Sequence, residues 1–107
     1  MTKKSIEDVQ KYVTKISERN GWNLNSDEET LNDLIRGLMD NFNRLGYYNC
    51  PCRDSQEDRQ LDRDIICPCR YAEPDIAEYG YCYCTLYSRA DYDQNKTMKM
   101  IPERRPS

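Results

Sequence analysis

The stretch from Tyr47 to Tyr87 reads YYNCPCRDSQEDRQLDRDIICPCRYAEPDIAEYGYCYCTLY and holds all six cysteines of the chain. They form three CxC pairs, Cys50-Pro51-Cys52, Cys67-Pro68-Cys69 and Cys82-Tyr83-Cys84, separated by 14 and 12 residues. Three identical spacings are not chance. Zinc ribbons and knuckles favour CxxC, whose two intervening residues let both sulfurs swing onto one tetrahedral ion, so CxC counts against zinc without excluding it. Iron–sulfur clusters take four thiolates and accept several spacings, including ligands drawn from separated loops. Four ligands would leave two thiols over, and such a pair has a chemical use. A [4Fe-4S] centre handles electrons singly, whereas reducing a disulfide takes two, so an adjoining dithiol can join the two kinds of chemistry. The spacing does not say which four would ligate. Pro51 and Pro68 fix their φ and carry no N–H, so each stiffens the turn that presents its flanking sulfurs.

Outward from this stretch, residues 1 to 49 carry no cysteine and read as two helices. Ile6, Val9, Val13 and Ile16 recur at helical spacing, with Ser5 and Asp8 as the cap and Asn20-Gly21 as the stop. A second helix is expected to begin at Ser26, with Glu29 completing a capping box, and to bury Leu31, Leu34, Ile35, Leu38, Phe42 and Leu45 before Gly46 ends it. Between the first two pairs, Asp54 to Ile66 is strongly charged and allows a short helix. Pro74 to Tyr79 reads as another helical turn ended by Gly80, and no strand-like alternation is sustained. From Asp91 onward the sequence is polar with scattered Met, and Glu103 to Ser107 reads as a loose end.

Composition narrows the function further. Leu, Ile, Val and Phe number only 17 of 107 residues, so a fold needs some other staple. The chain has no histidine, which removes Ser-His-Asp and Cys-His catalysis and His-containing zinc sites. Its four glycines form no phosphate cradle. A net charge of −3 without a basic stripe argues against nucleic acid, and no apolar run is long enough for a membrane span. No apolar region follows the basic start, so the expected compartment is a reducing cytoplasm, where clustered cysteines point to metal or redox chemistry.

The order CPC, CPC, CxC, preceded by a helical half and followed by Thr85-Leu86-Tyr87, resembles the catalytic (beta) chain of ferredoxin:thioredoxin reductase. The resemblance implies one domain over 1–107: a helical half at 1–49, a cluster and disulfide half at 50–90, and a tail at 91–107. It implies a mainly α fold, a small irregular helical domain around a [4Fe-4S] cluster with little or no sheet. It also implies Cys50, Cys67, Cys69 and Cys82 as cluster ligands and Cys52 with Cys84 as the redox-active disulfide. The implied enzyme takes electrons from a ferredoxin-like donor and reduces thioredoxin or a thioredoxin-like protein, with Cys52 as the attacking thiol and Cys84 associating with the cluster. A non-catalytic partner chain could cover a cluster face.

Plant-type members carry His between the last two cysteines, where this chain has Tyr83. An unperturbed tyrosine hydroxyl, with pKa near 10, donates protons poorly at neutral pH, so Tyr83 is a candidate either for proton handling or for packing beside the cluster. The alternative function is an interaction module stapled by structural iron–sulfur or zinc, without catalysis. A secreted three-disulfide scaffold ranks third. Arg53, Arg59, Arg63 and Arg70 are interleaved with acids and read as a solvated face ahead of a docking patch for an acidic electron donor.

Overall fold

The computed structural model describes residues 3–93 and 99–105. Helix α1 spans Ile6–Asn20 and buries Val9, Val13 and Ile16 on one face. Its start is the expected capping box: Ser5 Oγ accepts from the Asp8 amide at 3.2 Å, and the Asp8 carboxylate accepts from the Ser5 amide at 3.0 Å. After Gly21 the chain turns into β1, Trp22–Leu24, and then into α2, Glu28–Leu45, which ends at Gly46. Helix α2 buries Leu34, Ile35 and Leu38. Val9, Val13 and Leu38 are fully enclosed, each contributing about 1.5–3 kcal/mol by burial.

Helix α2 starts later than its capping-box pattern suggests. The N-cap is Asp27, whose carboxylate accepts from the Thr30 amide at 3.2 Å, while the Asn25 side-chain oxygen accepts from the Asp27 amide at 2.8 Å. A charged oxygen at a helix N-terminus gains from the macrodipole as well as from the hydrogen bond, which favours Asp27 over Ser26.

Helix α3, Ala72–Tyr79, begins two residues before Pro74. Pro74 sits in the first turn, where its missing N–H is not needed. Gly80 closes the helix at φ 93°, and a Cβ there would lie 2.3 Å from the Tyr92 ring, so both the backbone and the packing require glycine. Strand β2, Tyr87–Arg89, pairs antiparallel with β1, with Trp22 opposite Arg89 and Leu24 opposite Tyr87. This two-stranded ribbon is the only sheet among the described residues, and it ties the helical half to the last cysteine pair.

Two expectations fail. Residues 54–66 form successive turns with no helix, because they wrap a fully buried carboxylate. Asp62 accepts from the Tyr47 and Ser55 hydroxyls and from the Gln56 amide, which fixes the segment around one point. The expected loose end is tied down at 103–105. Ile101 is buried, Arg104 pairs with Asp75 at 2.8 Å and Glu78 at 2.9 Å, and Arg105 pairs with Asp64 at 2.9 Å. The rest of that tail, at 94–98 and 106–107, lies outside the described residues. No helix among the described residues is long and apolar enough to cross a membrane.

Candidate redox site

Backbone pairing brings the first two CxC segments side by side. The Cys67 amide donates to the Tyr48 carbonyl at 2.7 Å and the Cys50 amide to the Ile65 carbonyl at 2.8 Å, around a bridge between Asn49 and Ile66. The Arg53 amide then closes a turn onto the Cys50 carbonyl at 3.2 Å, with Pro51 where such turns accept proline. The buried Asn49 side chain braces this turn by donating to the Cys50 and Arg53 carbonyls. Helix α2 backs it closely: a Cβ on Gly37 would lie 3.0 Å from Pro51 Cβ. The Cys67–Pro68 peptide bond is cis.

The third pair repeats the first turn's design. The Thr85 amide donates to the Cys82 carbonyl at 2.8 Å, and the Cys82 amide to the Tyr87 carbonyl at 3.0 Å. Thr85 has φ 65°, a left-handed conformation that costs a β-branched residue about 1–3 kcal/mol. Asn25 holds it there, its side-chain amide donating to the Thr85 carbonyl at 3.0 Å and its backbone amide to the Leu86 carbonyl at 2.9 Å. The strained residue directly follows Cys84.

These turns gather the six sulfurs into one region, where each acts on its neighbours. Burial pushes the Cys67 thiol well above its ordinary value, with a contribution from the charges of Cys50, Cys82 and Cys69. Burial likewise raises Cys69 to about 11, against the pull of Arg53 and with further upward pressure from Cys50 and Cys82. Cys67 and Cys69 thus each lie within electrostatic reach of Cys50 and Cys82. Cys84 pulls the Cys52 thiol below its ordinary value, and Cys84 is itself pushed well above its own, by Cys50 first and then by Cys52, Cys82 and burial. Cys82 lies 3.9 Å from Cys84 and is lowered to about 7, first by that contact and then by backbone amides. Cys52 is exposed, Cys69 is half-buried, and the other four are buried.

Hydrogen-bond donors surround the sulfurs. The Tyr87 amide donates to Cys82 Sγ at 3.4 Å, and the Tyr87 hydroxyl lies 3.6 Å from Cys67 Sγ. The Tyr12 hydroxyl donates to the Cys67 carbonyl, and its ring stacks on Tyr48 at 4.2 Å. Among the described residues, no three Cys, Asp or Glu side chains group as ligands of a single metal ion.

Arg53 overturns the reading of the four arginines as one solvated face. Its side chain is only 2% exposed, whereas Arg59, Arg63 and Arg70 are exposed as expected. Arg53 Nη1 donates to Cys69 Sγ at 3.0 Å, while Nε and Nη2 grip both oxygens of Glu103 at 3.0 and 2.8 Å. The rings of Tyr83 and Tyr71 lie 4.6 and 5.1 Å from the guanidinium carbon. Tyr83 therefore meets the site through its ring. Neither Glu103 nor Tyr71 stood out in the sequence; the only local signal was an arginine directly following a CPC pair, and Arg70 carries that signal too.

A family model described as "Ferredoxin thioredoxin reductase catalytic beta chain" matches residues 1–104. No curated protein matches the chain.

Proposed function

We propose that this chain, which belongs to the ferredoxin thioredoxin reductase catalytic beta chain family, is an iron–sulfur disulfide reductase passing electrons from a ferredoxin-like donor to thioredoxin or a thioredoxin-like protein. Cys50, Cys67, Cys69 and Cys82 would hold a [4Fe-4S] cluster, which supplies electrons one at a time when bound. The donor set suits it. Cys50 and Cys82 each push up the thiols of Cys67 and Cys69, so as thiolates these need a positive centre beside them, and the chain has no histidine to divert the site toward mixed ligation. N–H and O–H donors already point at Cys82, Cys67 and Cys69, as ligand sulfurs require.

The remaining pair performs the exchange. Cys52, as thiolate, attacks one sulfur of the target disulfide, forming a mixed disulfide and releasing the other target sulfur as a thiol. The Cys84 sulfur then attacks Cys52, forming a Cys52–Cys84 disulfide and freeing the second target thiol. Two electrons, delivered singly by the donor, and two protons reopen that bond for the next cycle. Tyr83 serves Arg53 through its ring, with proton delivery assigned to solvent at the exposed Cys52. The reducing cytoplasm suits such a thiol set.

One observation carries the reading: among the six cysteines only Cys52 is exposed, and its thiol is held below the ordinary value first by Cys84. The test is a pair of variants. Cys52→Ser should keep iron and its visible absorption yet lose disulfide reduction; an active variant removes the assigned nucleophile. Cys67→Ser should lose iron, and a normal cluster spectrum would overturn the ligand assignment.

A further inference from the structure

A buried guanidinium is costly, and this one has a single carboxylate partner among the described residues. Folding would be served by an apolar side chain or by an arginine directed wholly at Glu103. Instead the pair is divided. Glu103 takes Nε and Nη2, and Nη1 is spent on Cys69 Sγ at 3.0 Å. With its side chain 2% exposed, the charge is screened little by water or salt. Glu103 belongs to the C-terminal strap, which is fixed beside it by buried Ile101 and by the ion pairs of Arg104 and Arg105. Cation and anion therefore sit at different distances from the sulfur, in an order the strap enforces.

We propose that Arg53 is a positioning residue for the Cys69 sulfur, and that Glu103 limits how much of its charge is felt there, so that the C-terminal strap sets the potential at which the site accepts an electron. This rests on the reading of Cys69 as a cluster ligand. The sign follows from electrostatics. Each added electron makes the centre more negative, so a nearby cation favours the reduced state and raises the potential, and a nearby anion lowers it. A purely structural clamp would change stability and leave the potential in place.

The test uses anaerobically purified full-length protein and the variants Arg53→Gln, Arg53→Lys and Glu103→Gln. Iron and labile sulfide are counted first, then the visible absorption is titrated against potential. Arg53→Gln should retain iron and shift the midpoint negative by at least tenfold in the one-electron equilibrium constant, about 59 mV. Arg53→Lys should recover part of that shift, and Glu103→Gln should move the midpoint the other way. An Arg53→Gln protein with a full cluster and the wild-type midpoint overturns the proposal. Should Arg53→Gln lose iron, Glu103→Gln decides: a positive shift supports the proposal, and no shift or a negative one overturns it. Wild-type protein without iron removes the cluster reading itself, and this inference with it.

Discussion

Replacing Asp62 with alanine tests whether the spacer between the first two cysteine pairs is organised around one carboxylate. Asp62 is completely buried and accepts from the Tyr47 hydroxyl, the Ser55 hydroxyl and the Gln56 amide. Hydrogen bonds to a charged group contribute about 1.5–3 kcal/mol each. Their loss is not simply additive, since Tyr47 and Ser55 lie 3.4 Å apart and can partner each other. Asp62→Ala should therefore cost about 2–4 kcal/mol. Asp62→Asn should cost less, because its oxygen can accept from Gln56 while its amide donates to the two hydroxyls. Burial works against the Asp62 charge, but the Gln56 amide and the Ser55 and Tyr47 hydroxyls outweigh it and hold the carboxyl below its ordinary value. A depressed folded pKa contributes stability that is fully present above the unfolded pKa of about 3.9 and is lost as pH falls through the folded value. The stability gap between wild type and Asp62→Asn should thus be flat from neutral pH to about 5 and narrow below about 4. Anaerobic urea unfolding at several pH values measures it, with Asp62→Ala lowering the midpoint by more than about 1 M. An alanine variant within about 0.5 kcal/mol of wild type, or an asparagine variant as damaging as alanine, would refute the reasoning.

Three further outcomes are expected. Gly37→Ala should lower the melting temperature: the helix gains about 1 kcal/mol from alanine, but the new methyl meets Pro51 and overpacking costs about 1–3 kcal/mol, so a higher melting temperature would show that the turn yields freely. Tyr83→Phe should keep turnover and its pH profile, because the ring contact with Arg53 survives, whereas Tyr83→Ala should lose about 0.5–2 kcal/mol of stability; an altered pH profile in Tyr83→Phe would return proton transfer to the hydroxyl. Stripping iron with a chelator should speed amide exchange across residues 47–93 while α1 and α2 keep their helical circular dichroism, and uniform protection after metal loss would show that the cysteine half stands on its own packing.

The helical half was legible because its determinants are local. Val9, Val13 and Ile16 repeat at the period of the element they build, and Ser5 meets Asp8 within one turn. The cysteine half was legible only as an inventory of thiols. Its geometry depends on contacts across long separations: Tyr12 with the Cys67 carbonyl, Asn25 with Thr85, and Arg53 with Glu103 fifty residues away. No periodicity encodes such pairs. The charged run at 54–66 misled for a related reason. Its composition allows a helix, but a single enclosed acceptor at Asp62 with three donors around it outweighs a weak helical preference in a short segment.

The small number of large aliphatic residues acquires a physical meaning from where the sulfurs lie. Cys50, Cys67, Cys82 and Cys84 belong to the same buried cluster as Val9, Leu38, Leu86 and Tyr87, so the thiols are themselves part of the core. Cysteine packs as a small apolar group, yet each buried thiol that must ionise to ligate or react carries a desolvation cost. Packing alone does not offset that cost. Donors do so in part, through the Tyr87 amide and hydroxyl, held across the β1–β2 ribbon and beside the Asn25 contacts, and through Arg53, held by Glu103 of the C-terminal segment. Stability and redox chemistry therefore draw on the same few polar contacts. A substitution that loosens the ribbon should be felt at Cys82 and Cys84 before it is felt in the helices, because the helices keep their own apolar seam while the turn of the last cysteine pair hangs on the ribbon and Asn25.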